Sequence, residues 1–285
     1  MNAAAALADF VRAPSRLAIV SGAGISTASG IPDYRGRDGQ WRHARPVQYP
    51  DFVARAAVRQ RYWAHSLLGW PRMAGARPNA AHRALADMQS QIETTALITQ
   101  NVDGLHQQAG STGVIDLHGR LDTVSCLSCK TTFPRADWQH ALTTLNPGWF
   151  EQIEAVRDAP DGDAAIDGAD YDSFVVRDCP VCGGIVKPDV VFFGEAVPPT
   201  RVEAAYRAVD TADALLVVGS SLVVFSGFRF ARRAAAADKP IALVNLGYNR
   251  AADLATLTID EDCNVVLPAA LGLLRGGDDH AAAQV

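Results

Sequence analysis

Aromatic side chains are scarce in this chain, 7% of 285 residues, and only three methionines and five cysteines are present. Basic residues are in deficit: 26 Lys and Arg stand against 31 Asp and Glu, a formal net charge of -5. Such a balance provides no long-range attraction to phosphate backbones or anionic lipid, which removes nucleic acid and membrane surfaces as default partners. No apolar run reaches the roughly 20 residues that span a bilayer. Met1 to Arg16 begins as an Ala-rich helix, without a cationic leader, an apolar core or a cleavage site, and Asp9 interrupts the sparse basic residues Arg12 and Arg16. The expectation is a cytoplasmic protein, with nothing to indicate an oligomeric state. What is present is 48% hydrophobic residues, enough for a sizeable α/β core.

The few cysteines are informative by their spacing. Cys126-x-x-Cys129 and Cys179-x-x-Cys182 each offer two sulfurs at bite distance, and two such knuckles read as a four-thiolate site for one structural zinc. Disulfides or two independent redox pairs are the alternative; the absence of a secretion signal, and of a βαβ pattern opening at either pair, weighs against them. Cys263 stands alone and reads as a small buried residue.

The chain is organised around Ile98 to Gly119. Ala96-Leu97-Ile98 stops at Thr99-Gln100-Asn101-Val102-Asp103-Gly104, and a second apolar run, Val114 to Leu117, delivers His118 immediately before Gly119. Amides and carboxylates at strand ends are most often turn formers, and a lone histidine is most often structural. Four such groups at two neighbouring strand ends favour a shared crevice, where open α/β sheets bind ligands.

From the N-terminus, Arg16 to Ser21 is a short buried strand feeding Gly22-Ala23-Gly24-Ile25-Ser26, a glycine turn expected to open a helix and leave backbone N–H groups facing a diphosphate. The third glycine of a dehydrogenase fingerprint is missing, as is a second strand with an acidic residue about 20 positions on, so hydride transfer is disfavoured. Ser29 to Gly36 is a loop carrying Asp33, Tyr34 and Arg35. It is either a salt-bridged surface turn or a lid in which Arg35 meets a phosphate and Tyr34 stacks. Pro50 to Trp70 reads as a helical insertion, and Asn79 as the cap of a helix bearing Ala81, Ala84, Leu85 and Met88 on one face. The acid-rich run from Asp158 to Asp172 reads as a solvated loop. Gly183 to Glu195 reads as an extended edge that pairs with a peptide or stays unpartnered, and Thr200-x-x-Glu203 as a capping box. Ala214 to Val218 and Ile241 to Val244 are buried strands ending in Gly219-Ser220-Ser221 and Asn245-Leu246-Gly247. This alternation implies an α/β fold, a doubly wound parallel sheet with two insertions.

Gly22-Ala23-Gly24-Ile25-Ser26, Gly30-Ile31-Pro32-Asp33-Tyr34-Arg35, Thr99 to Asp103, Leu117-His118-Gly119, the two cysteine pairs, Val191 to Glu195 and Gly219-Ser220-Ser221, in that order from about Leu17 to Leu267, resemble the sirtuins. Arg59 to Trp63, Leu145-Asn146-Pro147, Ala159 to Asp163 and Lys187 to Glu195 are similar to the class II branch. The resemblance implies a Rossmann-like sheet formed by 1–36, 78–119 and 188–285, a helical insertion over 37–77, and a zinc-binding module over 120–187. It implies a protein-lysine deacylase that consumes NAD, with acyl-lysine proteins or peptides as substrates and one structural zinc outside the chemistry. Gly22, Gly24 and Ser26, with Gly219, Ser220 and Ser221, match the cofactor cradle; Asn245, Leu246 and Gly247 match its adenine-side ribose, and the backbone at Cys263 its adenine. Gln100, Asn101 and Asp103 match the nicotinamide pocket, with Asn101 and Asp103 taking part in catalysis; Ala23, Asp33, Tyr34 and Arg35 match its lid. His118 matches the general base, and Val190, Val191, Phe192, Phe193 and Gly194 match the substrate-binding edge.

The residue types suit that chemistry. Nicotinamide leaves from an oxocarbenium-prone carbon in a dry pocket, the acyl oxygen attacks that carbon, and a neutral His118 deprotonates a ribose hydroxyl that attacks the adduct. One departure bears on specificity: where sirtuins resembling desuccinylases carry Tyr-x-x-Arg, this chain has Tyr62-Trp63-Ala64-His65. Without the guanidinium fork, uncharged acyl chains are the expected preference. Mono-ADP-ribosyl transfer to a protein and a catalytically silent NAD-binding sensor are the rival readings.

Overall fold

Leu17 and Ile19 face one side of the first strand and Ala18 and Val20 the other, and each pair enters a different hydrophobic cluster. This period-two alternation buries both faces of a sheet. The computed structural model describes residues 2–42, 46–149, 156–158, 164–166 and 170–281. Its main sheet comprises β1 (Arg16–Ser21), β2 (Glu93–Thr99), β3 (Val114–Asp116), β9 (Ala214–Val218), β10 (Ile241–Val244) and β11 (Leu257–Ile259). All neighbours are parallel, in the order β11-β10-β9-β1-β2-β3. The doubly wound sheet is therefore as expected. Its strand order reverses between β1 and β9, the point at which such sheets open a crevice beyond their carboxyl ends.

Helices α1 (Ala3–Arg12), α4 (Ala80–Met88) and α9 (Cys263–Ala281) cover one face, packing Leu7, Leu85 and Leu267 against Ile19, Leu97 and Leu216. On the other face, α7 (Pro199–Thr211) and α8 (Phe225–Ala235) pack Val209 and Phe230 against Val20, Ile98 and Val217. Each fully buried aliphatic side chain of this kind contributes about 2 kcal/mol. Asn79 caps α4 as expected, accepting from the Ala81 and His82 amides while the His82 ring closes the reciprocal half of the box. The Thr200 capping box does not form. Pro198 is the N-cap of α7 and Pro199 its first residue, so the proline ring sets the helix start and Thr200 lies inside it.

The second body grows from two insertions. Between β1 and α4 come α2 (Tyr49–Ala54) and α3 (Ala56–Gly75), the expected helical insertion. A three-stranded antiparallel sheet, β5-β4-β8, follows β3, from β4 (Gly119–Cys126), β5 (Thr132–Pro134) and β8 (Val186–Val190), and β8 is its edge strand. Phe52, Tyr62, Trp63 and Leu67 from the helices share one core with Val124, Trp138, Leu142 and Val186. Trp138 and Leu142 lie on α6 (Arg135–Leu145), one turn apart at i, i+4, a helix that the sequence reading passed over. Where a loop is expected, the short antiparallel strands β6 (Val156–Asp158) and β7 (Ala164–Ile166) pair, while the whole Ala159 to Asp163 segment and Asp167 lie outside the described residues. A short helix, α5 (Leu105–Gln108), lies between β2 and β3. Among the described residues, no helix is long and apolar enough to cross a membrane.

Candidate active site

At the carboxyl ends of β1 and β9 two loops approach backbone to backbone. A Cβ on Gly22 would stand 2.7 Å from Ser220 Oγ, and one on Gly24 would stand 2.9 Å from the Gly219 carbonyl oxygen. Gly219 has φ +57, and a Cβ there would lie 2.3 Å from the Ile25 nitrogen, so only glycine fits. Two short 3-10 turns, Ala23–Ile25 and Thr27–Ser29, follow β1 in place of the expected helix. Gly30 in the left-handed region and Pro32 end the helical path. The amides of Gly22, Gly24, Ile25 and Ser26 donate to the carbonyls of Val218, Gly219, Gly22 and Ala23. These glycines therefore provide close approach, not the row of free donors expected of them.

The clasp opens onto a cavity of about 730 Å³. Lining it are Gly22, Ala23, Gly24, Ser26, Asp33, Tyr34, Arg35, Gln100, Asn101, Asp103, His118, Gly219, Ser220, Ser221, Asn245, Leu246 and Cys263, as well as Val190 to Gly194. Every candidate named for the cofactor and substrate thus borders one space, apart from Gly247. That residue stands beside the cavity with φ +76, its amide on Asp260 at 2.7 Å, where a Cβ would strike the Arg37 carbonyl oxygen at 2.3 Å. Such a volume suits a dinucleotide with part of a side chain.

Beyond β2, the polar groups form one connected set. Gln100 Nε2 donates to Ser220 Oγ at 2.8 Å, spanning from β2 to β9. Asn101 Nδ2 donates to Ser26 Oγ at 3.0 Å and to the Gly22 carbonyl at 3.1 Å. Ser26 Oγ in turn donates to Asp103 at 2.7 Å, and the Leu105 amide donates to the same carboxylate at 2.9 Å. Burial raises the Asp103 pKa, opposed by these two bonds and by Arg120. The carboxylate, withdrawn from water, borders the same cavity as the glycine clasp and His118.

His118 sits where the main sheet hands over to the second body, between β3 and β4. Its carbonyl accepts from the Val191 amide at 2.7 Å, which joins it to the segment that follows β8. Nδ1 lies 2.9 Å from the Gln100 carbonyl oxygen, an acceptor only, so Nδ1 carries the proton and donates. Burial lowers the pKa of the ring, and Arg201 and Arg229 push in the same direction, against the Gln100 bond. A neutral imidazole with its lone pair on Nε2, the ring atom 2.8 Å from Ser226 Oγ, is what a proton acceptor near pH 7 requires.

The Asp33 to Arg35 loop is salt-bridged, as in the surface-turn reading, and it also borders the cavity. Asp33 pairs with Arg42 at 2.9 Å, while Arg35 donates to the Gly39 carbonyl and lies 4.1 Å over the Trp41 ring. Tyr34 makes edge contacts with Trp41 and Phe193, tying the loop to the segment that follows β8. Cys263 is buried, with its thiol pKa pushed up to about 12 by desolvation, as expected of a packing residue. Trp41, Met73, Leu222, Ser226 and Arg229 also line the cavity and were not anticipated. No local motif marks them; their arrival depends on which helices and loops the sheet order brings together.

The four cysteine sulfurs all lie within 4.8 Å of one another. Cys126 Sγ is 3.5 Å from Cys182 Sγ, and Cys129 Sγ is 3.7 Å from Cys179 Sγ, too far for disulfides. Sulfurs 2.3 Å from a central zinc stand about 3.8 Å apart along a tetrahedron's edges, so the donor set fits that ion. Its place on the far side of the β4 sheet, linking the β4–β5 turn to the segment before β8, is that of a staple.

The profile of the Sir2 family matches residues 22–226. A protein of Xanthomonas campestris pv. campestris named NAD-dependent protein deacetylase is 54% identical over 258 residues, covering 90% of this chain and 87% of the relative. One of the same name from Bordetella bronchiseptica is 52% identical over 262 residues, covering 92% and 95%. Among solved structures, one described as Sir2 with p53 peptide and NAD+ superposes with a TM-score of 0.74 at 29% identity, covering 96% of this chain and 98% of that one. A family match over most of the chain, relatives above half identity and a shared fold agree, and the chain belongs to the Sir2 family.

Proposed function

We propose that the protein removes acyl groups from lysine side chains of proteins or peptides, using NAD as co-substrate and releasing nicotinamide and acylated ADP-ribose. The observation that carries this reading is the convergence of His118, Gln100, Asn101 and Asp103 with the Gly22–Gly24 clasp on one cavity. The names of the relatives support it. The glycine clasp fits a dinucleotide because, without side chains, the loops after β1 and β9 close on each other at the switch point where such sheets bind one. NAD, when bound, supplies a sugar carbon whose nicotinamide departs and ribose hydroxyls that receive the acyl group.

The chain's own residues do the rest. Asn101 and Asp103, locked through Ser26, present an amide and a carboxylate where the nicotinamide carboxamide would lie and where positive charge develops on the sugar. His118 Nε2 takes the proton of the ribose hydroxyl, and the Gln100 carbonyl holds Nδ1–H as the ring becomes charged. Val190 to Gly194, on and beyond the edge strand β8, receive the peptide, and Ile31, Val47, Tyr62, Met73 and Phe192 give the acyl chain an apolar lining. His65 turns to Tyr171 at 2.7 Å, which favours uncharged acyl groups. On this reading the cofactor half comprises 1–36, 78–119 and 188–285, with 37–77 and 120–187 forming the second lobe. The test is nicotinamide release from NAD with acetyl-lysine peptide by wild type and His118→Ala. Turnover is expected to fall by at least about a hundredfold with the fold intact, and wild-type turnover would remove the imidazole from the mechanism.

A further inference from the structure

The reactive nitrogen of His118 already has a partner. Ser226 Oγ, the second residue of α8, stands 2.8 Å from His118 Nε2, and Ser226 lines the cavity. The start of α8 is fitted to this pair at a second point, since a Cβ on Gly227 would stand 2.4 Å from Gln100 Oε1. One turn of helix therefore meets the base at Nε2 through Ser226 and accommodates, through Gly227, the side chain of the residue whose carbonyl holds Nδ1.

We propose that Ser226 is a positioning residue for the His118 base, whose hydroxyl donates to Nε2 in the resting state and reverses to accept from Nε2–H once the ring has taken the ribose proton. The direction of the resting bond follows from the other side of the ring. With Nδ1–H committed to the Gln100 carbonyl, a neutral imidazole has only a lone pair at Nε2, so the serine hydroxyl donates. An incoming ribose hydroxyl displaces that donor and gives its proton to Nε2. The resulting imidazolium then has two N–H groups and two acceptors, the Gln100 carbonyl oxygen and Ser226 Oγ. The proton count is unchanged: the ribose oxygen loses one, Nε2 gains one, and the serine rotates while keeping its own.

The energetics favour the charged form. A hydrogen bond from an ion is about twice as strong as one between neutral groups, so losing the hydroxyl harms the imidazolium more than the imidazole. The charged groups acting on the ring are Arg201 of α7 and Arg229 of α8, both cations that oppose protonation. Among the described groups, Arg229 Nε is buried and without a hydrogen-bond partner, so no acceptor at that nitrogen offsets its charge. The serine oxygen is then the acceptor nearest the site of new charge.

The inference rests on the base role proposed above for His118, and the test separates the two. Ser226→Thr and Ser226→Val differ only in a hydroxyl, so their packing and folding are matched; Ser226→Ala serves where β-branching is not tolerated. The measurements are kcat and KM against pH for acetyl-peptide turnover, and the pKa of the His118 ring by NMR, its signals assigned by comparison with His118→Ala. Ser226→Val is expected to lose about tenfold in kcat relative to Ser226→Thr, with a lower ring pKa and an acid limb moved down by up to about one pH unit. Equal kcat and equal ring pKa in the Thr and Val proteins would overturn the role of the serine, whether or not His118→Ala is inactive. Full turnover in His118→Ala would instead overturn the base assignment.

Discussion

Lys187 and Glu195 form an ion pair, Nζ to Oε2 at 3.3 Å, that closes the two ends of the stretch Pro188 to Gly194. Lys187 is buried, and its ammonium also donates to the carbonyls of Pro188 and Val190; Glu195 accepts from the Phe192 amide at 2.9 Å. Both charges thus hold backbone that lines the cavity on its substrate side. Removing Lys187 leaves the half-buried Glu195 without its cation, which costs about 2 kcal/mol. Lys187→Met is expected to lower stability by that order in urea unfolding and to raise KM for the peptide more than it lowers kcat. Unchanged stability and KM would show that the pair does not shape this edge.

Asp103 is expected to matter for chemistry more than for folding. Its carboxylate is already paired with the Ser26 hydroxyl and the Leu105 amide, and Asp103→Asn retains an acceptor for that amide. The variant loses the negative charge facing the sugar, a loss of about a hundredfold in nicotinamide release with the melting curve little changed. A reduction below threefold would place the carboxylate outside the reaction.

Stability should fall in mild acid. Burial lowers the pKa of His82 to about 4 and that of His106 to about 3, and it also lowers that of His118. The unfolded chain, with its rings near 6.5, then binds more protons than the folded one below that pH. The stabilisation is complete above about pH 6.5 and is lost as the pH falls towards the folded values, by about 2 kcal/mol for each of His82 and His106 at pH 5. Asp103 and Asp116, whose pKa values burial raises, act in the opposite sense. Urea midpoints between pH 5 and pH 7.5 test this, and a flat profile would contradict it.

Zinc removal should unfold the second lobe before it touches the chemistry. One zinc per chain is expected by metal analysis, and chelation should lower Tm by more than about 5 °C, given the free energy that structural zinc sites contribute. Cys126→Ser, at a buried ligand position, should do the same without chelator. A chain that melts at the same temperature with and without chelator would refute the staple.

Acyl preference follows from which way the α3 side chains turn. Tyr62 lines the cavity, while His65, at the position of the desuccinylase arginine, is bonded to Tyr171. Across acetyl-, butyryl- and succinyl-lysine peptides, kcat/KM is expected to be at least about tenfold lower for succinyl, whose carboxylate lacks a guanidinium fork. Succinyl turnover equal to acetyl would remove this preference.

The sequence by itself determined the strands β1, β2, β9 and β10, the glycine clasp, the zinc cysteines and the line of candidates from Gln100 to His118. Each is set by short-range physics: alternating burial along a strand, glycine where no Cβ fits, and two thiols at bite distance. Tertiary structure decided the rest. Ser226 is 108 residues from His118, and only the placement of α8 beside the end of β2 brings their atoms to 2.8 Å. The glycine amides that looked free are bonded because β1 and β9, far apart in sequence, are neighbours at the switch point. Helix α6 buries only one i, i+4 apolar pair, Trp138 and Leu142, and what fixes it is their packing against side chains of α3 and β4.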